Sequence, residues 1–324
     1  MFFARLALSL HKIGCASEEK KKFIYFLFFA RLALSLYSIL EKSMSESSDF
    51  RIDIDGVLRA KMPKHYKWIP RFLVNYLKRT VHQDQINDIL DRNSDVEGVP
   101  FMTRLVENEF NITIKTEGMN NIPDTGRFVF ATNHPLGGMD GICLSEVLGK
   151  RYNGKIKYLV NDILYFIKPL QPIFVPINKH GAQAKGAAQA INEAYMSDDQ
   201  MITFPAGLVS RKRKKGVIKD LVWHKSFIQK AIESKRDVIP VHFSGQNSNF
   251  FYNFANIRKW LGIKFNIELI YLPNEMFSNT NNTFTITFGK PIPWQSFDKS
   301  HTPLQWAQHV KKIVYSLPTV GNIK

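Results

Sequence analysis

The chain has only two cysteines, Cys15 and Cys143, too few for a disulfide framework and without the paired spacing that holds zinc. Its nine histidines carry no metal-binding spacing, and the last two, His301 and His309, lie eight apart. No Gly-x-Ser-x-Gly turn is present, which argues against a serine nucleophile of the hydrolase type. Acidic residues are scarce, 28 against 44 basic ones. A reducing compartment with no structural metal follows from these absences. What is abundant is positive charge and phenylalanine: the net charge is +16, and 25 of the 324 residues are Phe. Such a charge favours an anionic partner, either nucleic acid or an anionic membrane surface.

The first 43 residues stand apart. Phe2-Phe-Ala-Arg-Leu-Ala-Leu-Ser-Leu10 recurs letter for letter as Phe28 to Leu36. A perfect repeat this close to itself implies a recent duplication or a mistaken start, not a solenoid. Phe23 to Leu40 is apolar for eighteen residues, the lower limit for a membrane span, and Arg31 near its middle counts against one. No small-residue cleavage site follows, so a secretory signal peptide does not fit. Met44, followed by polar Ser-Glu-Ser-Ser-Asp, is the alternative start. Loss of the leader's seven basic and three acidic residues would still leave +12.

Three parts follow from the patterning: this leader (1–43), a helical region (44–110) and a larger domain of alternating strands and helices (111–324). Between Val57 and Glu109 the apolar spacing is helical, broken by Pro63 and Pro70 into two or three short helices. Beyond Asn111, β-rich runs are expected at Ile112–Lys115, Phe128–Ala131, Ile156–Val160, Ile173–Ile177, Met201–Phe204, Val238–Phe243, Phe265–Tyr271 and Phe284–Phe288. Helical stretches separate several of them: Gly141–Leu148, Ala182–Met196 and Asp220–Ser234; a last helix is expected over Pro303–Leu317. Alternation of this kind predicts an α/β fold, a mainly parallel central sheet flanked by helices, with the helical segment at its N-terminal side.

Chemistry concentrates in Ala131-Thr-Asn-His-Pro-Leu-Gly-Gly-Met-Asp140. An apolar strand leads into a sharp turn that carries an imidazole and a carboxylate. His134 is a candidate general base, with Asp140 fixing its tautomer, and Gly137 and Gly138 let the turn fold. The bland alternative is a strand–helix turn in which Asp140 only caps a helix and His134 is a surface residue.

These residues resemble the first block of the glycerolipid (lysophosphatidic acid) acyltransferase superfamily. Phe174-Val-Pro-Ile-Asn-Lys179, Phe204-Pro-Ala-Gly-Leu-Val-Ser-Arg211 and Val238-Ile-Pro-Val241 are similar to its second, third and fourth blocks, in order. Five residues separate His134 from Asp140, where the family usually has four; this form looks like the bacterial hemolysin-like and aminolipid branch. The third block has Ala206 and Val209 where the family carries Glu and Arg. In the family those positions help bind a glycerol-phosphate acceptor. Their loss implies another head group, and the whole pattern is most similar to glycine-lipid or ornithine-lipid O-acyltransferases. Phosphatidic acid synthesis and a non-catalytic membrane-binding protein of the same fold are the rival readings.

The resemblance implies that His134 and Asp140 are catalytic. It implies a substrate site made of Asn133, Gly137 and Gly138, then Asn178 and Lys179, then Phe204, Pro205, Gly207, Ser210 and Arg211. The acyl thioester of acyl carrier protein or coenzyme A serves as co-substrate, with no other cofactor and no metal. The partners implied are that donor, a lipid acceptor and an anionic membrane surface at the cytoplasmic face of the inner membrane. The oxyanion is expected to meet backbone N–H groups around Gly137 or Gly207. Cys143 reads as a buried small residue. The run Arg211-Lys-Arg-Lys-Lys215 suits lipid head groups, an acidic carrier protein or a solvated loop; no nucleic-acid motif accompanies it. Asn249 to Leu261, rich in aromatics, either packs in the core between two strands or dips into a bilayer. Asp53-Ile-Asp55 imitates the nucleophile motif of haloacid-dehalogenase-type phosphatases, but without the apolar strand that motif needs.

Overall fold

The computed structural model describes residues 51–317, apart from 62, 64–65, 161–163, 165–166 and 178–182. The duplicated leader, the apolar stretch Phe23–Leu40 and the candidate site residues Asn178 and Lys179 lie outside the described residues. Among the described residues, four α-helices precede the first strand: α1 (Ile54–Lys61), α2 (Arg71–Thr80), α3 (Gln83–Arg92) and α4 (Val99–Arg104), the last running into a π-turn at Leu105–Glu109. That is one more than expected. The extra break falls at His82, whose φ of 52° ends α2 and opens α3, with neither Gly nor Pro to announce it. Asp55 lies in the first turn of α1, paired with Lys78 and Arg71, and not at a strand end. The Lys78 bond first, then the Tyr66 hydroxyl, lowers its pKa to about 2. The phosphatase resemblance is thereby excluded.

The rest is a seven-stranded sheet. Its strands are β1 (Thr113–Glu117), β2 (Phe128–Thr132), β3 (Ile156–Val160), β4 (Phe174–Pro176), β5 (Gln200–Thr203), β8 (Asp237–Phe243) and β9 (Thr283–Phe288). The small hairpin β6 (Arg211–Lys212) and β7 (Ile218–Lys219) stands outside it. Spatial order is β1-β9-β8-β2-β5-β3-β4, and every pairing is parallel except β8 with β9. Central β2 is buried along its whole length. Period-2 alternation sends Phe128 and Phe130 into one apolar cluster, with Ile239, Val241 and Phe243. Val129 and Ala131 go to the other face, beside Val238. The first face is covered by α4 and by α5 (Gly138–Arg151). On the second lie α6 (Gln183–Met196), α7 (Ser226–Ser234) and α10 (Pro303–Ser316). The start of α10 is fixed by Thr302 and Gln305 in a reciprocal capping box, with Pro303 in the first turn.

One run expected as a strand is not one. Phe265–Tyr271, expected as a strand, forms a 3-10 helix at Ile267–Tyr271 that runs into α9 (Leu272–Ser278). Glu268 explains it: the turn buries this carboxylate against Arg211 and Arg258, and Pro273 in the first turn of α9 favours helix over strand. Asn249–Leu261 is helix α8 (Asn249–Trp260), capped by Ser248. One side of α8 buries Phe251, Tyr252 and Ala255, while Phe250, Ile257 and Trp260 remain exposed.

Candidate active site

The site forms where β2 leaves the sheet. Asn133 ends the strand: its amide accepts from the Phe243 N–H at 2.7 Å and donates to the Phe243 carbonyl at 2.9 Å. A side chain thus replaces the next ladder pair and ties β2 to β8. Pro135 then prevents the strand from continuing. The chain turns through Gly137, whose φ of +90° favours glycine, and enters α5. A Cβ at Gly137 would sit 3.1 Å from Val209 and 3.3 Å from Leu272, so the third block and α9 close directly over the turn.

Asp140 lies in the first turn of α5, fully buried, and does two things at once. Its Oδ2 accepts from His134 Nδ1 at 3.0 Å and from the N–H groups of Leu136 and Gly137 at 3.1 and 3.3 Å. Its Oδ1 accepts from the Gly141 N–H at 2.9 Å. The capping role and the histidine-orienting role are therefore one arrangement. The fifth intervening residue is absorbed by the Gly137 turn, and Asp140 reaches His134. With Nδ1–H directed at the carboxylate, Nε2 is left unprotonated, and it has no hydrogen-bond partner among the described residues.

The His134 side chain is 17% exposed and lies against Phe204, ring centroids 4.1 Å apart, with Tyr158 stacked behind. Burial alone would lower its pKa, but the charge and hydrogen bond of Asp140 outweigh it, with help from Asp220. The imidazole is held above its ordinary value. It is a base that is stabilised once it takes a proton.

The third block wraps this turn. Ser210 N–H donates to the His134 carbonyl at 2.7 Å, and the Ser210 hydroxyl donates to Asp220. Phe204 packs on the imidazole, and the Pro205 carbonyl accepts from His224 N–H at 2.8 Å. Gly207 occupies a positive-φ turn, its N–H spent on the Phe204 carbonyl. The Gly137 N–H is likewise spent on Asp140, so neither of these two amides is free to meet an oxyanion. Gly138 starts α5, and a Cβ there would lie 3.2 Å from Met276. Ala206 and Val209 are both buried among apolar neighbours.

Arg211 turns inward from the basic run. Its guanidinium pairs with Glu268 at 2.8 Å, donates to the Val209 carbonyl and lies over Phe251. The remainder of the run forms the tip of the β6–β7 hairpin. Cys143 is buried in the first core, and burial pushes its thiol pKa far up, so it is no nucleophile. Three participants carried no sequence signal: Asp220, Tyr158 and Glu268. Each comes from outside the four blocks, and only the fold brings it to the site.

The sequence profile of the family described as "Acyltransferase" matches residues 56–320. The chain is similar to the lyso-glycine lipid O-acyltransferase of Bacteroides thetaiotaomicron, 56% identical over 274 residues, covering 85% of this chain and 100% of the relative. It is also similar to the protein of the same name from Phocaeicola vulgatus, 51% identical over 274 residues, 85% of this chain and 98% of that one. Among solved structures, the 1-acyl-sn-glycerophosphate (LPA) acyltransferase PlsC of Thermotoga maritima aligns with a TM-score of 0.42 at 16% identity, over 88% of this chain and 93% of that one.

Proposed function

The chain belongs to the acyltransferase family, and on that premise we propose that it acylates the hydroxyl of a monoacylated glycine lipid. It is a lipid O-acyltransferase by its relatives; the acceptor is the finer assignment. The observation that carries it is the third block. Where a phosphate acceptor calls for charged partners, this site has Ala206 and Val209, 3% and 2% exposed. The one cation within the block itself, Arg211, is engaged by Glu268. An uncompensated dianionic phosphate has no docking cation in that block, whereas an amide-linked lipid with a distant carboxylate does not require one there.

In the mechanism we assign, His134 Nε2 takes the proton of the acceptor hydroxyl while Nδ1–H stays on Asp140. The oxygen attacks the carbonyl carbon of an acyl thioester. The tetrahedral oxyanion collapses, the C–S bond breaks, and the departing thiolate receives the proton from the imidazolium. Acyl carrier protein or coenzyme A supplies that thiol. No acyl-enzyme forms.

Such an enzyme must meet its acceptor at a bilayer, and one face suits that. Trp68 and Trp260 are 82% and 83% exposed, and Phe72, Phe250, Ile257 and Phe265 are exposed with them. Tyr76 on α2 bonds Tyr271 hydroxyl to hydroxyl at 2.9 Å, and Phe250 on α8 packs on the Tyr271 ring, joining the two helices. Lys67, Arg71, Lys259 and Lys264 are exposed on the same segments. Aromatic and cationic side chains together match the interface of an anionic membrane, at the cytoplasmic side where acyl thioesters are available. Among the described residues, no helix is long and apolar enough to cross a membrane.

A lipid mass profile of cells with and without the gene tests the acceptor. Loss of diacylated glycine lipid with build-up of its monoacyl precursor is expected. A change confined to phosphatidic acid would overturn the assignment. With purified protein, acyl-CoA and acyl carrier protein thioesters offered in parallel identify the donor.

A further inference from the structure

Asp220 follows the β6–β7 hairpin, outside the four blocks, and is completely buried. Its Oδ1 accepts from the main-chain N–H of His134 at 3.2 Å and from the Ser210 hydroxyl at 2.5 Å. Its Oδ2 accepts from the Trp223 indole N–H at 2.8 Å. Because Ser210 N–H also donates to the His134 carbonyl, His134, Ser210 and Asp220 close a ring of three hydrogen bonds. Both main-chain polar groups of the catalytic histidine are thereby held from one side, while Asp140 holds its ring from the other.

The main chain of Asp220 is anchored as firmly. Its N–H donates to the Tyr315 hydroxyl at 2.8 Å, and its carbonyl accepts from Lys311 and Arg213, each at 2.9 Å. Tyr315 and Lys311 belong to α10, so the ring is fixed to the C-terminal helix across the sheet. We infer that Asp220 is a positioning residue for His134, locking the catalytic turn to the third block and to α10 so that the imidazole keeps its aim. The inference rests on His134 being the base proposed above.

A purely structural role would be served as well by a neutral acceptor. Among the described residues no cation lies within ion-pair distance of this carboxylate; its partners are one amide, one hydroxyl and one indole. Burying a full charge on neutral donors is costly, and the groups that gain from the charge are the His134 imidazolium, the Lys311 ammonium on α10 and the His242 ring on β8. The charged groups facing His134 are Asp140 on α5, Asp220, and Arg211 on β6, which opposes them while itself held by Glu268. Asp220 thus shares with Asp140 the stabilisation of the protonated histidine.

The test is Asp220→Asn, which keeps the shape and removes the charge, assayed as purified protein with lyso-glycine lipid and an acyl thioester. We expect a kcat lower by at least about tenfold, since small misplacement of a reacting group has effects of that order. KM for the donor should stay within about twofold, on the same positioning ground. The acidic limb of the pH profile should move to lower pH. Trp223→Phe, which removes one bond to the same carboxylate but no charge, should leave that limb in place. A folded Asp220→Asn protein with wild-type kcat, or with reduced kcat and an unmoved limb, would overturn the inference. Should Asp220→Asn fail to fold, Ser210→Ala carries the test. It opens the ring at one bond, and a wild-type kcat there would equally overturn it. His134→Ala is the separate control: full activity in that variant would sink the assignment of the base itself, whatever Asp220 does.

Discussion

The two ends of β2 bury polar groups in opposite ways. At its amino end Arg236, just before β8, is fully buried and donates to the carbonyls of Tyr195, Ser197, Asp199 and Phe128. Burial first, and the nearby Arg127 charge second, lower its pKa to about 10, so it stays charged at neutral pH. All three nitrogens of its planar fork donate, chiefly to satisfy the chain end of α6. At the carboxyl end the buried charges are Asp140, held mostly by backbone N–H groups, and Asp220, held by one amide, one hydroxyl and one indole. But there the network stops one atom short: His134 Nε2 has no hydrogen-bond partner among the described residues. A closed polar cluster holds the fold together. The one that leaves a single basic nitrogen unbonded among the described residues is the one we propose moves a proton, and the two ends differ in that nitrogen more than in burial or charge.

Removing the open atom should therefore have the largest effect. His134→Ala is expected to lower kcat by roughly 10²–10⁴-fold, the usual contribution of a positioned base. Its melting temperature should change little, because Asp140 keeps three backbone donors. Arg236→Met should do the reverse. It leaves several buried carbonyls without donors at about 1–3 kcal/mol each. A loss near 3 kcal/mol lowers the melting temperature by roughly 4–5 °C in a chain of 324 residues. The kcat of the folded fraction should stay near wild type. Calorimetry and steady-state assays on the two variants would break the comparison if either moved both quantities together.

Gly137→Ala is intermediate. A positive φ and a Cβ 3.1 Å from Val209 strain the turn by about 1–2 kcal/mol. Because the Gly137 N–H bonds Asp140, that strain should reach His134, lowering both stability and kcat. Unchanged kcat despite a lowered melting temperature would mean that the turn does not transmit strain to the pair.

Much of this carboxyl end was legible in the sequence because it is local. Phe128–Ala131, Pro135, the two glycines and Asp140 fall within thirteen residues, and strand, turn and helix start follow from their types. The parallel sheet was legible too, from strands alternating with helices. What was not legible is long-range. Asp220 lies 86 residues from His134 in sequence and meets it only through the β6–β7 hairpin and α10. Glu268 sits in a β-rich run whose composition pointed to a strand. Its two arginine partners, ten and 57 residues away, decide otherwise. The closed end at Arg236 carried no sequence signal either, since its partners are backbone carbonyls that every residue possesses.

The smallest expected effect separates the two ends by pH. Asp140 and Asp220 hold the folded His134 pKa above the ordinary histidine value, about 6.5 in an unfolded chain. The protonated imidazole therefore favours the folded state. That contribution is fully present below about pH 6.5 and is lost as pH rises through the higher folded value. Catalysis requires the neutral form and runs the other way: kcat/KM should rise through the same window. One residue thus predicts a melting temperature that starts to fall at about pH 6.5 and levels off at the folded pKa, where the rise in activity has its midpoint. In His134→Ala the falling stability limb should disappear. Arg236 titrates far above this window, so in Arg236→Met the limb should persist on a lower baseline. A stability limb that went on falling well above the midpoint of the activity limb would mean that a group other than His134 governs one of them.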